Sequence, residues 1–235
     1  SHTEGYNTRV QAWGTANHTE GTADTNQPGI VIQGSGSGNH AEGYVPSSGD
    51  TNVINNGNGN HLEGTANKIN NGNYSHVEGV ANTADLADGV NHAHIEGCRN
   101  LSRTSYSHLE GIDNQVTKQM DHGSIHMEGS NNRVVSGSVT NTHVSGAMNT
   151  IASVDRNQVA NTFVTGAGHK LAVGTTVTSA SSGNINNSFI AGAWNHIVDN
   201  DNYEYGHDHD NMTIFGAGNQ LTNVNSHNVF ITGAG

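Results

Sequence analysis

Aromatic residues make up 5% and hydrophobic residues 32% of this 235-residue chain, too little to fill an ordinary globular core of that length. Proline is almost missing, with Pro28 and Pro46 the only two. The single cysteine, Cys98, rules out an intrachain disulfide, leaves the redox compartment open and reads as a small apolar filler. No apolar run approaches the roughly 20 residues of a membrane-spanning helix. Lys and Arg together number 8 against 20 Asp and Glu, giving a net charge of −12 with histidine neutral. The few cations are scattered, which excludes nucleic acid as a partner and a basic membrane-surface helix.

What the chain has instead is glycine, 31 residues of it, and a short phrase that keeps returning. His-x-Glu-Gly occurs as His2/Glu4, His18/Glu20, His40/Glu42, His61/Glu63, His76/Glu78, His94/Glu96, His108/Glu110 and His126/Glu128, each pair followed by Gly. The phrase then drifts to His143-Val144-Ser145-Gly146, Phe163-Val164-Thr165-Gly166, Phe189-Ile190-Ala191-Gly192, Thr213-Ile214-Phe215-Gly216 and Phe230-Ile231-Thr232-Gly233. Successive phrase glycines lie 14 to 26 residues apart across these thirteen copies. A self-similar period this short specifies a solenoid, each repeat a coil stacked on the last.

Within each copy the residue between the first and third positions runs from Thr3 and Thr19 through Ala41, Leu62, Val77, Ile95, Leu109 and Met127 to Ile231. Alternation in a β-strand sends that residue to one face and its neighbours to the other. It is therefore the interior of the coil. A second segment follows the glycine as Asn-x-(Val/Ile/Leu), for example Asn67-Lys68-Ile69, Asn132-Arg133-Val134 and Asn149-Thr150-Ile151. This reads as a second strand whose aliphatic residue meets the first from the opposite wall. The glycine sits at the turn between them, where a positive φ or close backbone approach excludes a Cβ. The asparagine suits either a turn or an inward-facing amide ladder.

His and Glu lie on the other face of the first strand. Such a stripe is ordinarily solvated, but in the later copies Phe163, Phe189 and Phe230 take the histidine position while Thr or Ala takes that of glutamate, and at Thr213/Phe215 the sizes swap. Volume trading of this kind belongs to a packed surface. The predicted interface ladder runs from His2/Glu4 to Phe230 along this face. A coil with about two aliphatic side chains inside is thinly cored for the chain it orders. Further copies of the chain packed on the ladder would complete it, in a number this reasoning leaves open.

These motifs, most closely Ser75-His76-Val77-Glu78-Gly79 and Ser107-His108-Leu109-Glu110-Gly111, resemble the head repeats of YadA-type trimeric autotransporter adhesins and the His-x-Glu-Gly repeats of phage tail fibre and tailspike proteins. The resemblance covers essentially the whole chain and departs in the longer coils and the Phe-x-(Thr/Ala)-Gly drift. It implies an all-β parallel β-solenoid, a left-handed β-roll of about 13 short rungs of two strands, assembled as a homotrimer. The expected organisation is a regular roll over 1–129 and a drifted, longer-looped continuation over 130–235. Broad loops are expected at Tyr6–Asn17, Thr22–Asn39 and Tyr44–Asn60, and outer excursions at Gly174–Asn187, Asp199–Asn211 and Thr222–Asn228. The chain starts and stops within a repeat, so it is expected to be a segment of a longer fibre.

The implied function is a rigid trimeric extracellular or virion fibre, a phage tail fibre that binds a cell-surface glycan or protein receptor. An adhesin head and a purely structural filament are the alternatives, and a polysaccharide-degrading tailspike is the enzymatic one. Eight near-identical His/Glu pairs spread along the chain do not single out a catalytic centre, and no nucleophile elbow, phosphate loop or dinucleotide fingerprint occurs, so no enzyme and no required cofactor are expected. The loop with Asp199, Asp201, Tyr203, Glu204, Tyr205, Asp208 and Asp210 reads either as a recognition site for a sugar or metal, or as solvated decoration. His92/His94 and His207/His209 are His-x-His pairs. About a three-fold axis each would offer six nitrogens to an octahedral transition-metal ion, as in the phage fibres the chain resembles.

Overall fold

The computed structural model describes residues 1–24, 29–47, 50–85, 92–117, 124–135, 138–153, 158–173, 184–199, 209–222 and 226–235. They form an all-β parallel solenoid with no helix among the described residues. Contacts divide the chain into two compact units, Ser1–Asp113 and Asn114–Gly235.

In the first unit the His-x-Glu-Gly strands lie side by side in parallel: His2–Tyr6, His18–Ala23, His40–Val45, His61–Leu62, His76–Val77, His94–Cys98 and Ser107–Ile112. The register puts like on like, His18 on His40, Glu20 on Glu42 and Gly21 on Gly43. A second parallel sheet carries the return strands Thr8–Ala12, Ile30–Gly34, Asn52–Asn55, Lys68–Asn70, Thr83–Asp85 and Leu101–Ser102. The expected broad loops at 6–17, 22–39 and 44–60 are thus each interrupted by a strand, because Val10, Ile32 and Ile54 continue the inward aliphatic column. Ala41, Leu62, Val77, Ile95 and Leu109 from the first sheet and Ile32, Ile54 and Ile69 from the second are fully buried.

The glycines make this stacking possible. Gly97 has φ +102, and a Cβ built there would fall 2.1 Å from the Gly111 carbonyl oxygen of the next turn. Gly64 meets Gly79 in the same way, at 2.1 Å. Any side chain would displace the neighbouring turn's backbone, which cannot give as a flexible side chain can.

Just past the glycine, the asparagines turn inward. Asn67, Asn82 and Asn100 are at most 1% exposed. Asn82 N–H donates to Asn67 Oδ1 at 2.8 Å, and Asn100 N–H to Asn82 Oδ1 at 2.8 Å. The Asn82 amide nitrogen in turn donates to Glu78 O at 2.5 Å and to Gly97 O at 2.8 Å. Each amide thereby satisfies backbone groups that the sharp turn strands away from the ladders. A second column precedes the histidines, where Asn39 N–H donates to Asn17 Oδ1, Asn60 N–H to Asn39 Oδ1 and Ser75 N–H to Asn60 Oδ1, each at 3.0 Å.

In the second unit the last His-x-Glu-Gly phrase and the drifted ones form one parallel sheet (Ile125–Ser130, Thr142–Ala147, Phe163–Ala167, Phe189–Ala193, Thr213–Ala217, Phe230–Ala234). The return strands form another (Gln115–Val116, Arg133–Val135, Thr150–Ser153, Lys170–Val173, His196–Asp199, Gln220–Thr222). The two-strand rung does not hold here. A third sheet runs through Ser138–Thr140, Gln158–Ala160, Asn184–Asn186, His209–Asp210 and Ser226–His227, so the expected excursions at 174–187, 199–211 and 222–228 each end in a strand. Repeat length alone does not set this wall, since the 17-residue repeat from Gly129 to Gly146 has it and the 22-residue repeat from Gly21 to Gly43 does not. Val139, Val159 and Ile185 close it inward, fully buried.

The amide column of this unit contains one exchange. His169 takes an asparagine position and is 1% exposed. Its backbone N–H donates to Asn149 Oδ1 at 3.0 Å, while its Nδ1 accepts the Asn195 N–H at 3.2 Å. Nε2 must then carry the proton and donate to Thr165 O, 3.0 Å away. Burial holds the His169 pKa below the ordinary 6.5, against the opposing pull of its backbone hydrogen bonds.

Two outcomes are expected. Gly97→Ala should cost about 3 kcal/mol or more, read by chemical denaturation, since strain and overlap combine; a parent-like midpoint would remove the close-approach argument. For His169, the folded state binds fewer protons than the unfolded state below pH 6.5, so its contribution is full above that pH and lost as pH falls beneath it. His169→Asn keeps acceptor and donor and should lessen the fall in melting temperature between about pH 7 and about pH 5. His169→Leu strands the Asn195 N–H and should cost roughly 1–3 kcal/mol at neutral pH.

Candidate functional site

The alternation that buries Leu62 and Ile95 leaves histidine and glutamate on the outer face of the same strands, half-buried for the most part. In-register pairing then stacks the rings. Centroids of His18 and His40 lie 4.9 Å apart with planes 4° from parallel, and those of His40 and His61 lie 5.0 Å apart at 10°. The column continues through His76, His94 and His108 at 4.8, 5.1 and 4.7 Å. In the second unit His126 meets His143 at 4.5 Å, His143 meets Phe163 at 4.5 Å, and Phe163 lies parallel to Phe189 at 5.2 Å. Phe215 stands in the glutamate column, opposite Ala191, yet still reaches Phe189 at 5.3 Å. Phe230 follows at 6.4 Å, edge-on.

The same register places carboxylate beside carboxylate: Glu4, Glu20 and Glu42 are successive partners, as are Glu96 and Glu110. Histidine offsets that repulsion. Glu42 spans two turns, with Oε1 3.4 Å from His61 Nε2 and Oε2 3.8 Å from His40 Nε2. Glu128 does the same for His143 at 3.7 Å and His126 at 4.0 Å, and Glu78 lies 3.3 Å from His76. Burial lowers the pKa of His40, with Glu42 opposing and His61 and His18 adding to the shift. For His76 burial again leads, followed by His61 and His94. The Nε2 atoms of His18, His40 and His76 are covered and make no hydrogen bond. The groups His2/Glu4/His18, His18/Glu20/His40, His40/Glu42/His61 and Glu63/His76/Glu78 each bring three possible metal-ligand atoms within 4.8 Å of one another.

The two His-x-His pairs fare differently. His94 belongs to the histidine column. His92 precedes that strand at a φ of +63 and stacks between Tyr74 and Tyr106, 5.5 Å from each. The two rings therefore sit in separate stacks rather than on one strand face, because the positive-φ residue breaks the alternation. His207 lies outside the described residues, as do Asp201, Tyr203, Glu204, Tyr205 and Asp208. His209 is not on an outer loop: it pairs with Ile185 in the third sheet and is fully buried. Its neighbour Asp210 faces His227, 3.6 Å away. Asp199 closes the return strand His196–Asp199.

Three features escape a reading of the repeat alone. One is the burial of two separate histidines, His169 in the amide column and His209 in the third sheet, whose signal is histidine at a position where other turns carry Asn or an aliphatic residue. Another is the Tyr74/His92/Tyr106 stack, set by residues between the repeat phrases. The third is an open groove of about 390 Å³ lined by Asn141, Asn161, Asn187 and Asn211 with Thr140 and Gln158. Away from these, Arg99 donates twice to Asp113 at 2.7 Å, which holds that carboxyl below its ordinary range.

The ring column makes a distinguishing prediction. His143→Phe extends the run already begun by Phe163 and should change stability by less than about 1 kcal/mol. His143→Asp replaces a ring with a carboxylate diagonal to Glu128, which now reaches His143 at 3.7 Å, and should destabilise by roughly 1–2 kcal/mol, since the ring stack is lost and like charges repel. Equal denaturation midpoints for the two variants would show that the column contributes nothing through stacking or charge.

In comparisons with family models, with curated proteins and with solved structures, nothing matches this chain.

Proposed function

We propose that the chain is a segment of a rigid homotrimeric fibre, a left-handed β-roll of about 13 rungs, displayed on a virion or cell surface and used for attachment. Three copies pack through the face that carries the histidine, glutamate and phenylalanine columns. The observation that carries this reading is the one-sided column of large rings left open in the single chain, where Phe163 and Phe189 are half-buried and Phe215 is 41% exposed. Soluble proteins rarely leave such contiguous ring surface bare. The repeat's resemblance to phage fibres and adhesin heads agrees with an attachment role, with the phage fibre preferred because its repeat phrase is nearer. No catalysis is assigned; a polysaccharide-degrading tailspike would require opposed carboxylates at a defined separation, and the acids of this face repeat in line instead.

Light scattering on the purified chain should give three times the monomer mass. Phe189→Asp, which sets a charge in the covered column, should shift the mass toward monomer while the β far-UV spectrum is retained. A folded monomer at micromolar concentration would overturn the assembly. For attachment, fluorescently labelled protein should bind whole bacterial cells of some strains, and a Tyr203→Ala/Tyr205→Ala variant should bind less. No binding to any strain in a broad panel would favour the structural filament.

A further inference from the structure

We propose that His40, Glu42 and His61 form a binding site for a divalent transition-metal ion of the zinc, cobalt or nickel kind. The donor set is two imidazoles and one carboxylate from adjacent turns, held within 4.8 Å of one another. Glu42 already lies between the rings, at 3.4 Å from His61 Nε2 and 3.8 Å from His40 Nε2. A tetrahedral ion with bonds of about 2.0–2.2 Å needs its ligand atoms roughly 3.3–3.6 Å apart along the edges. The two nitrogen–oxygen distances, each to a different oxygen of Glu42, are near that, and the two nitrogens lie within 4.8 Å of one another, so a modest contraction closes the set. The rings are within 10° of parallel, so both must tilt for their lone pairs to converge. At 36% and 37% side-chain exposure they have room to do so.

A second observation is independent of the spacing. His40 Nε2 is covered yet has no hydrogen bond, and a buried nitrogen without one is costly. An ion would coordinate it. The ion would also offset the carboxylate column, in which Glu20 and Glu42 are direct cross-strand partners.

The donors select the metal class. Imidazole nitrogen with a single carboxylate suits zinc, cobalt, nickel or copper, whereas calcium and magnesium want several oxygens. With three ligands from the protein, the fourth position is left to water or to an outside donor.

Neighbouring groups compete for the same residues. His18/Glu20/His40 shares His40 with the proposed site, so filling one empties the other, while His2/Glu4/His18 can fill beside it. His2 and Glu4 are about two-thirds exposed, at 67% and 66%, so that group is poorly held. Glu63/His76/Glu78 offers a single nitrogen. In the second unit His126 and His143 flank Glu128 at 4.0 and 3.7 Å, wider than in the proposed site, and beyond them Phe163, Phe189 and Phe230 replace the nitrogen donors. The proposal concerns one chain and does not rest on the trimeric fibre, so the two can fail separately.

The repeat itself supplies substitutions compatible with the fold. His40→Phe and His61→Phe copy Phe163, which stacks on His143 in the same column, and Glu42→Thr copies Thr165. Untagged protein stripped with a chelator should bind Zn²⁺ in a calorimetric titration. Co²⁺ in its place should show the strong visible bands of a four-coordinate site, and Zn²⁺ should raise the melting temperature where Mg²⁺ does not. Each of the three substitutions should weaken Zn²⁺ binding by about tenfold or more, and His40→Phe/His61→Phe should abolish the Co²⁺ bands with the β spectrum unchanged. No saturable Zn²⁺ binding, or affinity unaltered in the double variant, would overturn the site.

Discussion

Each turn of this solenoid must set its backbone directly over that of the next, and the phrase glycine is where that requirement is tightest. With the next turn's glycine oxygen 2.1 Å from the place a Cβ would occupy at Gly97, the turn can be made only of glycine. Once the glycines align, every residue at a fixed distance from them aligns as well. Repeat lengths can vary from 14 to 26 residues because the extra chain enters away from the glycine.

Alignment also forces like residues together, and the chain answers differently inside and outside. Inside, like on like is favourable. Aliphatic residues stack on aliphatic residues, and an asparagine carries both the acceptor and the donor that the next turn needs, so an amide column satisfies itself indefinitely. His169 is accommodated in that column only as one neutral tautomer. Outside, like on like brings glutamate beside glutamate, and carboxylates at a strand spacing of about 4.8 Å repel. Histidine in the parallel column relieves this, with Glu42 and Glu128 each reaching two turns. The acids disappear at Ser145, one turn before the column becomes phenylalanine, and stay absent at Thr165 and Ala191. The charge pattern and the ring pattern are therefore one constraint met in two ways.

Much of the fold was legible because a repeat states its own register. The inward positions Leu62, Ile95 and Val164, the turn glycines and the outward His/Glu pairs could all be placed by counting from one glycine to the next. The third sheet could not. Ser138-Val139-Thr140 and Asn184-Ile185-Asn186 are too short to stand out as strands in isolation, and they become strands because each pairs with its counterpart in an adjacent turn, both of them on Gln158–Ala160. The candidate site was legible to the same degree. That His40 and Glu42 share a face follows from alternation, but that Glu42 bridges to His61 depends on which turn lies above.

The sequence by itself determined the period, the β class, the residues facing inward and the chemistry of the outer face, because these depend only on spacing along the chain and on side-chain size. Tertiary structure alone decided the number of walls in a turn, the burial of His169 and His209, the separation of His92 from His94 and the grouping of His40 with Glu42 and His61. Those outcomes depend on residues about 20 positions apart in the chain, such as His40 and His61, being brought to one strand spacing. A linear pattern cannot express that until the turns are stacked.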